Sequence, residues 1–275
     1  MFDICKMKTL DDPFTPLSAR EGKGVYFYRI NGYNEQINSF ILKYYEAART
    51  SGVILEGGIR NPTDANLSYY YEQMGQGWSF DKGFFSSSLH KWLPRLHPGG
   101  CDTLAEALYG SLTFLKSIGK TDGMLRSAYI KFMCWMYYKF ERIAHALGGD
   151  NVPKILFEGD MDTYVLLLLS TISSAGCDII ALQYDSGKKY LTLDPQQTRS
   201  YELVVNGMGK FPTGTPSRDC AEWYNSSSGV RALPWPPPSS TAPTLGSRAR
   251  SRRTYWYRLC REGPIRRPSS TASTR

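Results

Sequence analysis

The sequence lacks the features that mark secreted, membrane-spanning and thiol-based proteins. Its six cysteines lie far apart and form no Cys-x-x-Cys pair, which argues against a disulfide framework or a thioredoxin-type redox site. The longest apolar run, residues 132–138 with tyrosines counted, is far shorter than the ~20 residues that a membrane helix needs. No charged and apolar leader opens the chain. We therefore expect free thiols, a cytoplasmic location and no membrane contact.

Motifs for a phosphate loop, a catalytic nucleophile or a metal centre are also lacking. A dinucleotide fingerprint needs three closely spaced glycines, and only Gly159 stands in the corresponding strand-to-helix turn. His90, His97 and Cys101 are seven and four residues apart, a spacing that matches no standard zinc site. Cys134 lies in an apolar helical stretch and is interpreted as core. The residues alone therefore predict no metal site and leave any cofactor unknown.

Charge is distributed unevenly along the chain. The net charge of +8 and the pI near 9.1 would ordinarily indicate a nucleic-acid partner. However, residues 213–275 contain 11 Arg, no Lys and three acidic residues, whereas residues 1–212 contain 22 basic and 22 acidic ones. The body of the chain is therefore neutral, which argues against nucleic-acid binding.

The tail, residues 213–275, is rich in Ser, Thr, Pro and Arg and has no apolar period, so it cannot bury a core. Its abrupt change from Lys to Arg favours translation in a wrong reading frame. A genuine disordered linker and a basic arm that binds nucleic acid are the alternatives. We expect a disordered tail that takes no part in the fold.

The first part of the chain predicts an α/β body. Residues 1–24 mix Pro, Lys and Asp without periodicity and are interpreted as an irregular lead-in to a body at residues 25–150. β-branched and aromatic residues predict strands at 25–30 and 52–56. Between them, apolar residues at three- and four-residue spacing predict a helix that is capped by Asn34 and ends where the second strand begins.

The middle of the chain is predicted to be helical, with one aromatic loop. Residues 64–76 have a helical pattern, whereas residues 77–100 combine aromatics with Gly, Ser and Pro and are predicted to be a loop packed on the body. Thr103 and Glu106 form a capping box that predicts the start of the next helix. With a longer helix at 123–147, it is predicted to form an antiparallel hairpin.

Residues 151–212 have the pattern of a partial Rossmann-like unit. Apolar strands are predicted at 154–157 and 178–182, with an apolar helix at 164–174 between them. Such units are nearly always right-handed and parallel, with ligands at the carboxyl ends of the strands. The predicted fold class is therefore α/β, a helical hairpin layer plus a Rossmann-like strand–helix–strand unit.

Carboxylates follow the two strands of this unit. Glu158, Asp160 and Asp162 lie between the first strand and the helix, and Asp185 follows the second strand. Carboxylates at this position could bond a ribose hydroxyl, hold a divalent cation or act as acid and base. The competing interpretation is structural, because Asp160 or Asp162 would also serve as the N-cap of the helix.

A second candidate segment follows the strand at 52–56. Gly57 and Gly58 free the backbone for a sharp turn, and Arg60 supplies a positive charge that could bind a carboxylate or a phosphate. A purely structural turn is the alternative. Both candidate segments follow strands, so we predict that they meet at the carboxyl ends of one sheet.

Four segments resemble the bacillary YceG-like family. They are FYRINGY at 27–33, KYYEAA at 43–48, GVILEGGIRNP at 52–62, and VPKIL at 152–156 with the Gly159 that follows. The resemblance covers about residues 20–212. It implies a bacterial component of a biosynthetic module encoded beside tellurite-resistance (Ter) stress genes. The chemistry of the family is not established, so the resemblance assigns no catalytic residue and no cofactor.

The resemblance and the candidate segments together allow two functions. The leading hypothesis is a Ter-linked component that binds a nucleotide-like or sugar-phosphate ligand around Gly57, Glu158 and Asp185. The rival is a non-catalytic scaffold that docks other Ter proteins through the aromatic segment 77–100. The family is longer than this chain, which implies that the rest of its Rossmann-like portion is missing or scrambled beyond about residue 212. A third possibility is that the body does not fold stably.

Overall fold

One parallel sheet forms the centre of the fold. The computed structural model describes residues 1–57, 59, 70–71, 74–159, 161–183 and 187–206, all within one compact unit, Met1–Ala232. The strands are β1 (Phe27–Asn31), β2 (Gly52–Glu56), β3 (Lys154–Glu158), β4 (Asp178–Gln183) and β5 (Tyr201–Val204). They lie in the order β2-β3-β4-β1-β5, and every pair is parallel. The predicted α/β class is confirmed.

Helix α1 (Glu35–Ser51) covers one face of the sheet. It begins as predicted at Asn34, whose side chain accepts a hydrogen bond from the backbone N–H of Ile37 at 3.0 Å. It ends directly at Gly52, the first residue of β2. Its apolar side chains form one core with residues of β1, β3 and β4. The 3.6-residue period thus places a full apolar stripe on the sheet.

A helical layer follows β2 in the chain. It consists of α2 (Lys82–Trp92), α3 (Pro98–Ser117), α4 (Asp122–Trp135), a π-helical turn at Met136–Phe140 and α5 (Glu141–Ala144). The predicted pair of helices is confirmed, because α3 and α4 are joined by a short connection and contact each other. The apolar stripe of α3 is buried at Leu104, Leu108, Leu112 and Leu115.

Two predictions for this layer are wrong. The segment predicted as an aromatic loop contains α2, which begins at Asp81, whose side chain accepts from Phe84 N–H at 2.7 Å. Burial of Phe85, Leu89 and Trp92 on one face outweighs the low helix propensity of its serines and glycine. The next helix begins at Pro98, ahead of the predicted capping box. The predicted helix at 64–76 lies mostly outside the described residues.

The predicted strand–helix–strand unit is confirmed. β3 and β4 are adjacent and parallel, and α6 (Thr163–Ser174) connects them. Nine successive residues of α6 are buried, because one side packs on the sheet and another on α3. The chain continues through a short helix, α7 (Lys188–Leu193), into β5. Neither α7 nor β5 was predicted as a separate element.

The lead-in at residues 1–24 is irregular, as predicted, but it is attached to the sheet. It contains only single 3₁₀ turns, and Ile4 forms an isolated parallel bridge with Val25. Arg20 donates two hydrogen bonds, both 2.7 Å, to the carboxylate of Asp178 at the start of β4. Both side chains are fully buried. This buried ion pair is absent from the sequence-based predictions.

The remaining general expectations concern thiols, membranes and the tail. Cys5, Cys101, Cys134 and Cys177 are free. Cys134 is fully buried, as predicted for core, and burial raises its pKa to about 12. Within the described ranges, no helix is both long and apolar enough to span a membrane. Residues 213–275 lie outside the described residues.

Candidate functional site

The carboxyl ends of the strands form the edge of the sheet at which ligands bind in open parallel folds. Since all strands are parallel, this carboxyl edge brings together residues that are distant in sequence, such as Asn31 beside Gln183 and Glu56 beside Glu158. Glycines with positive φ follow the first three strands: Gly32 (92°), Gly57 (70°) and Gly159 (149°). Turns of this kind leave backbone without side chains close to the strand ends, where a ligand can approach.

The structure brings two of the predicted site residues together. The backbone N–H of Gly57 donates to the carbonyl oxygen of Glu158 at 2.7 Å. The turn after β2 therefore lies beside the end of β3, as the leading hypothesis requires. Gly58, Arg60, Asp160 and Asp185 lie outside the described residues.

Asp162 has the structural role that the competing interpretation gives it. Its side chain accepts a hydrogen bond from the backbone N–H of Val165 at 2.8 Å, which makes it the N-cap of α6. A cap of this type contributes about 1 kcal/mol to stability. Its carboxylate oxygen is therefore already used in the fold.

A group of polar side chains on β1, β4 and β5 was missed by the sequence analysis. We name it the polar end cluster: Arg29, Asn31, Gln183 and Glu202. The strand register places all four on the face of the sheet opposite α1. Arg29 and Asn31 are buried, and the side chain of Glu202 is 27% exposed. The only sequence signal is an arginine inside an otherwise apolar strand, which is unusual for a buried position.

Arg29 is held by residues from the segment that precedes β5. Its Nε donates to Ser200 Oγ at 2.9 Å, and its Nη2 donates to Gln197 Oε1 at 2.7 Å. The guanidinium carbon lies 3.7 Å from the centre of the Tyr190 ring, a cation–π contact. Glu202 Oε1 is 3.8 Å from Arg29 Nη1. Burial lowers the pKa of Arg29, and the nearby Tyr190 and Glu202 partly offset this effect.

Asp194 fixes the conformation of the same segment. It accepts hydrogen bonds from the Tyr190 hydroxyl at 2.9 Å and from the backbone N–H of Arg199 at 2.9 Å. Burial alone would raise the pKa of Asp194, but these bonds and those from Thr198 outweigh it and hold the pKa below its usual value. The ring that lies against Arg29 is thereby fixed in place.

Three atoms of the polar end cluster have no hydrogen-bond partner within the described part of the chain. They are Arg29 Nη1, Asn31 Oδ1 and Gln183 Oε1, and all three are buried. Asn31 Nδ2 donates to Glu202 Oε1, which identifies Oδ1 as the free atom of that amide. The other buried unpartnered atoms of the described chain belong to helices: Tyr44 Oη, Arg126 Nε, Tyr129 Oη, Ser170 Oγ and Ser173 Oγ. Each such atom costs about 1–3 kcal/mol, and the three in the polar end cluster lie on one face of neighbouring strands, where a single ligand would pair with them.

Gly187 lies directly over this cluster. Its backbone is left-handed, with φ of 62°. A Cβ atom at this position would lie 2.8 Å from Asn31 Nδ2, 3.4 Å from Glu202 Oε1 and 3.5 Å from Arg29 Nη1. These distances show that polar atoms of three side chains converge beneath one glycine.

His90, His97 and Cys101, whose spacing matches no standard zinc site, take part in local packing. His97 caps α3, with Nδ1 accepting from Gly100 N–H at 3.0 Å and Nε2 lying 3.3 Å from the carbonyl oxygen of Leu147. Cys101 Sγ lies 3.5 Å from His90 Nδ1, and burial raises the pKa of this thiol. Among the described residues, no three His, Cys, Asp or Glu side chains form a group that could hold a metal ion.

Comparison with known proteins adds no assignment to this geometry. No family model matches the chain, and no curated protein and no solved structure is detectably similar to it.

Proposed function

We propose that this chain is a component of a Ter-linked biosynthetic module that binds a nucleotide-like or sugar-phosphate ligand at the carboxyl edge of its parallel sheet. One observation carries the ligand-binding part. Asn31 and Gln183, the last residues of β1 and β4, each have a buried side-chain oxygen without a hydrogen-bond partner among the described residues, at the edge where open parallel sheets bind ligands. A bound ligand would supply the missing hydrogen bonds.

The two parts of the predicted site have different tasks in this proposal. The glycine turn that begins at Gly57 approaches the ligand with its backbone, and Arg60 supplies charge for a phosphate. The acidic side chains Glu158, Asp160 and Asp185 accept hydrogen bonds from hydroxyl groups. Asp162 is the helix cap and does not contact the ligand.

The link to tellurite resistance and the stress response depends on the resemblance of the four segments named above. Three of them contain β1, part of α1 and β2, and the fourth contains the start of β3. The resemblance therefore includes strands whose carboxyl ends form the candidate site. Activity, partners and cytoplasmic location remain parts of the proposal.

Thermal unfolding of the full chain with AMP, ribose 5-phosphate or inorganic phosphate tests the ligand. A ligand at 100 times its Kd adds about 2.7 kcal/mol to the free energy of unfolding, which raises Tm by several degrees. The double variant Asp160→Ala with Asp185→Ala is expected to lose this increase. The control Asp162→Ala is expected to have a lower Tm but to keep the ligand-induced increase. No increase with any compound would contradict the proposal.

The scaffold hypothesis receives less support from the structure. The rings of Trp78 and Phe84 lie 5.2 and 5.5 Å from that of Tyr129, and Phe80 stacks on Tyr109 at 5.1 Å. These aromatic side chains pack against one another between α2, α3 and α4. They therefore expose less surface to a partner protein than an aromatic loop would. Co-purification of Ter proteins from cells that express the whole module, without any ligand response, would instead favour the scaffold.

A further inference from the structure

We infer that the polar end cluster binds the hydroxyl groups of a sugar ring and does not bind a phosphate. The inference rests on the proposed function and assigns one chemical part of its ligand to a defined part of the site. It depends on the types of the three free atoms and on the charge beside them.

The free atoms require a group that both donates and accepts hydrogen bonds. Arg29 Nη1 can only donate, whereas Asn31 Oδ1 and Gln183 Oε1 can only accept. A phosphate dianion has no proton to donate, so it would leave both amide oxygens unpaired. A hydroxyl group can donate to an amide oxygen and at the same time accept from the guanidinium. Two adjacent hydroxyls, as on ribose, supply the two donors and the acceptor that these three atoms require.

The charge of the cluster also argues against an anion. Glu202 Oε1 lies 3.8 Å from Arg29 Nη1 and accepts a hydrogen bond from Asn31 Nδ2. The guanidinium charge is therefore already balanced by a carboxylate, and a second anion would be repelled by it. A neutral sugar ring carries no such penalty.

The supporting residues hold the free atoms in fixed positions. Ser200 and Gln197 orient the guanidinium by its other two nitrogens, which leaves Nη1 without a hydrogen bond. Asn31 and Gln183 are paired in register on neighbouring strands, which places their side chains next to each other on one face of the sheet. The side chain of Glu202 is 27% exposed, so the cluster lies near the surface on that side.

Gln183→Met removes one of the two free amide oxygens and thereby tests the assignment. Gln183 Oε1 has no hydrogen-bond partner among the described residues, so its removal is expected to leave Tm unchanged or to raise it. The matched control is Ser173→Ala, which removes another buried unpartnered oxygen, but on α6. The full chain and both variants are titrated calorimetrically with AMP, 2′,3′-dideoxy-AMP, ribose 5-phosphate and 2-deoxyribose 5-phosphate.

We expect the wild type to bind the hydroxyl-bearing compound of a pair about tenfold or more tightly, since one hydrogen bond corresponds to about this factor. Gln183→Met should bind both members of the pair with similar affinity, and Ser173→Ala should keep the wild-type preference. Equal binding of both members by the wild type would overturn the inference and leave the proposed function intact. Binding of none of the compounds would overturn both.

Discussion

Two buried arginines differ in how completely their guanidinium groups are paired. Arg20 donates to both oxygens of Asp178, and its nitrogens also reach the carbonyl oxygens of Pro13, Thr15 and Gly24. Arg29 retains one terminal nitrogen without a hydrogen-bond partner among the described residues, although Glu202 Oε1 lies 3.8 Å from it. Complete pairing is typical of a structural ion pair, whereas the incomplete pairing of Arg29 leaves a donor for a ligand.

Arg20→Ala is expected to destabilise the protein by about 3–5 kcal/mol, because it leaves the buried carboxylate of Asp178 without its main partner. Lys154, 3.8 Å away, is too distant to replace the two hydrogen bonds. Urea unfolding measures the change. Lys8→Ala is the control, since Lys8 forms an exposed ion pair with Glu21 and should have no measurable effect. An equal midpoint for Arg20→Ala and the wild type would contradict a stabilising role for the lead-in.

Asp194 is expected to make stability depend on pH in the acid range. Its folded-state pKa is lowered, so the folded state binds fewer protons than the unfolded chain. The resulting stabilisation is present above the unfolded pKa of about 3.9 and is lost as the pH falls through the lower folded value. Each unit of difference corresponds to about 1.4 kcal/mol.

Tm measured between acid and neutral pH tests this expectation. Asp194→Asn cannot ionise, so its Tm should fall less steeply below about pH 5 than that of the wild type. Asp3→Asn, at an exposed position, should retain the wild-type slope. Parallel curves for Asp194→Asn and the wild type would show that another group causes the acid sensitivity.

At the level of elements, the helices and strands with regular apolar patterns were predicted correctly. α1, β2, β3, α6 and β4 lie within one or two residues of their predicted positions, because each has a strong apolar period or a continuous apolar run. α2 was missed since its glycine and serines favour a loop locally, and only burial of its aromatic face makes it a helix. α7 and β5 are too short for a period to appear.

The polar end cluster could not be predicted because it depends on contacts between distant parts of the chain. Arg29 and Ser200 are 171 residues apart, as are Asn31 and Glu202. No local pattern connects them, and an arginine in a strand is not a motif. The carboxylates of the predicted site were recognisable because they lie within five residues of the end of a predicted strand. Sequence patterns therefore predict a site at the carboxyl edge of the sheet, but not the buried side chains of the polar end cluster.

Gly52 allows β2 to lie close to β3 at the start of the two strands. A Cβ atom at this residue would lie 1.8 Å from the carbonyl oxygen of Lys154 on β3, so Gly52→Ala should force the strands apart and destabilise by about 1–3 kcal/mol. Gly110→Ala is the control, because Gly110 lies inside α3 with open space around it and alanine should stabilise that helix by up to about 1 kcal/mol. Chemical denaturation measures both, and equal effects would contradict the steric argument.

At the level of the whole chain, the division between body and tail follows from charge. The basic excess is confined to residues 213–275, and the periodic apolar patterns all precede them. We propose a wrong reading frame, which would account for both features with a single event. Sequencing of the gene around codons 205–220 is expected to reveal one inserted or deleted base, whose correction restores a downstream frame with apolar periods. An intact frame would contradict this origin and favour a genuine linker or a basic arm.

The composition of the tail also predicts that its removal leaves the fold unchanged. The slope of the unfolding free energy against urea concentration scales with the surface area exposed on unfolding. A segment without an apolar period adds little to this area. A chain ending at residue 212 should therefore have the same midpoint and slope as the full chain. It should also lose any salt-sensitive binding to DNA, because the remaining residues have balanced charge and release few counterions. A lower midpoint together with a smaller slope would mean that residues beyond 212 bury surface against the body, and the division proposed here would be wrong.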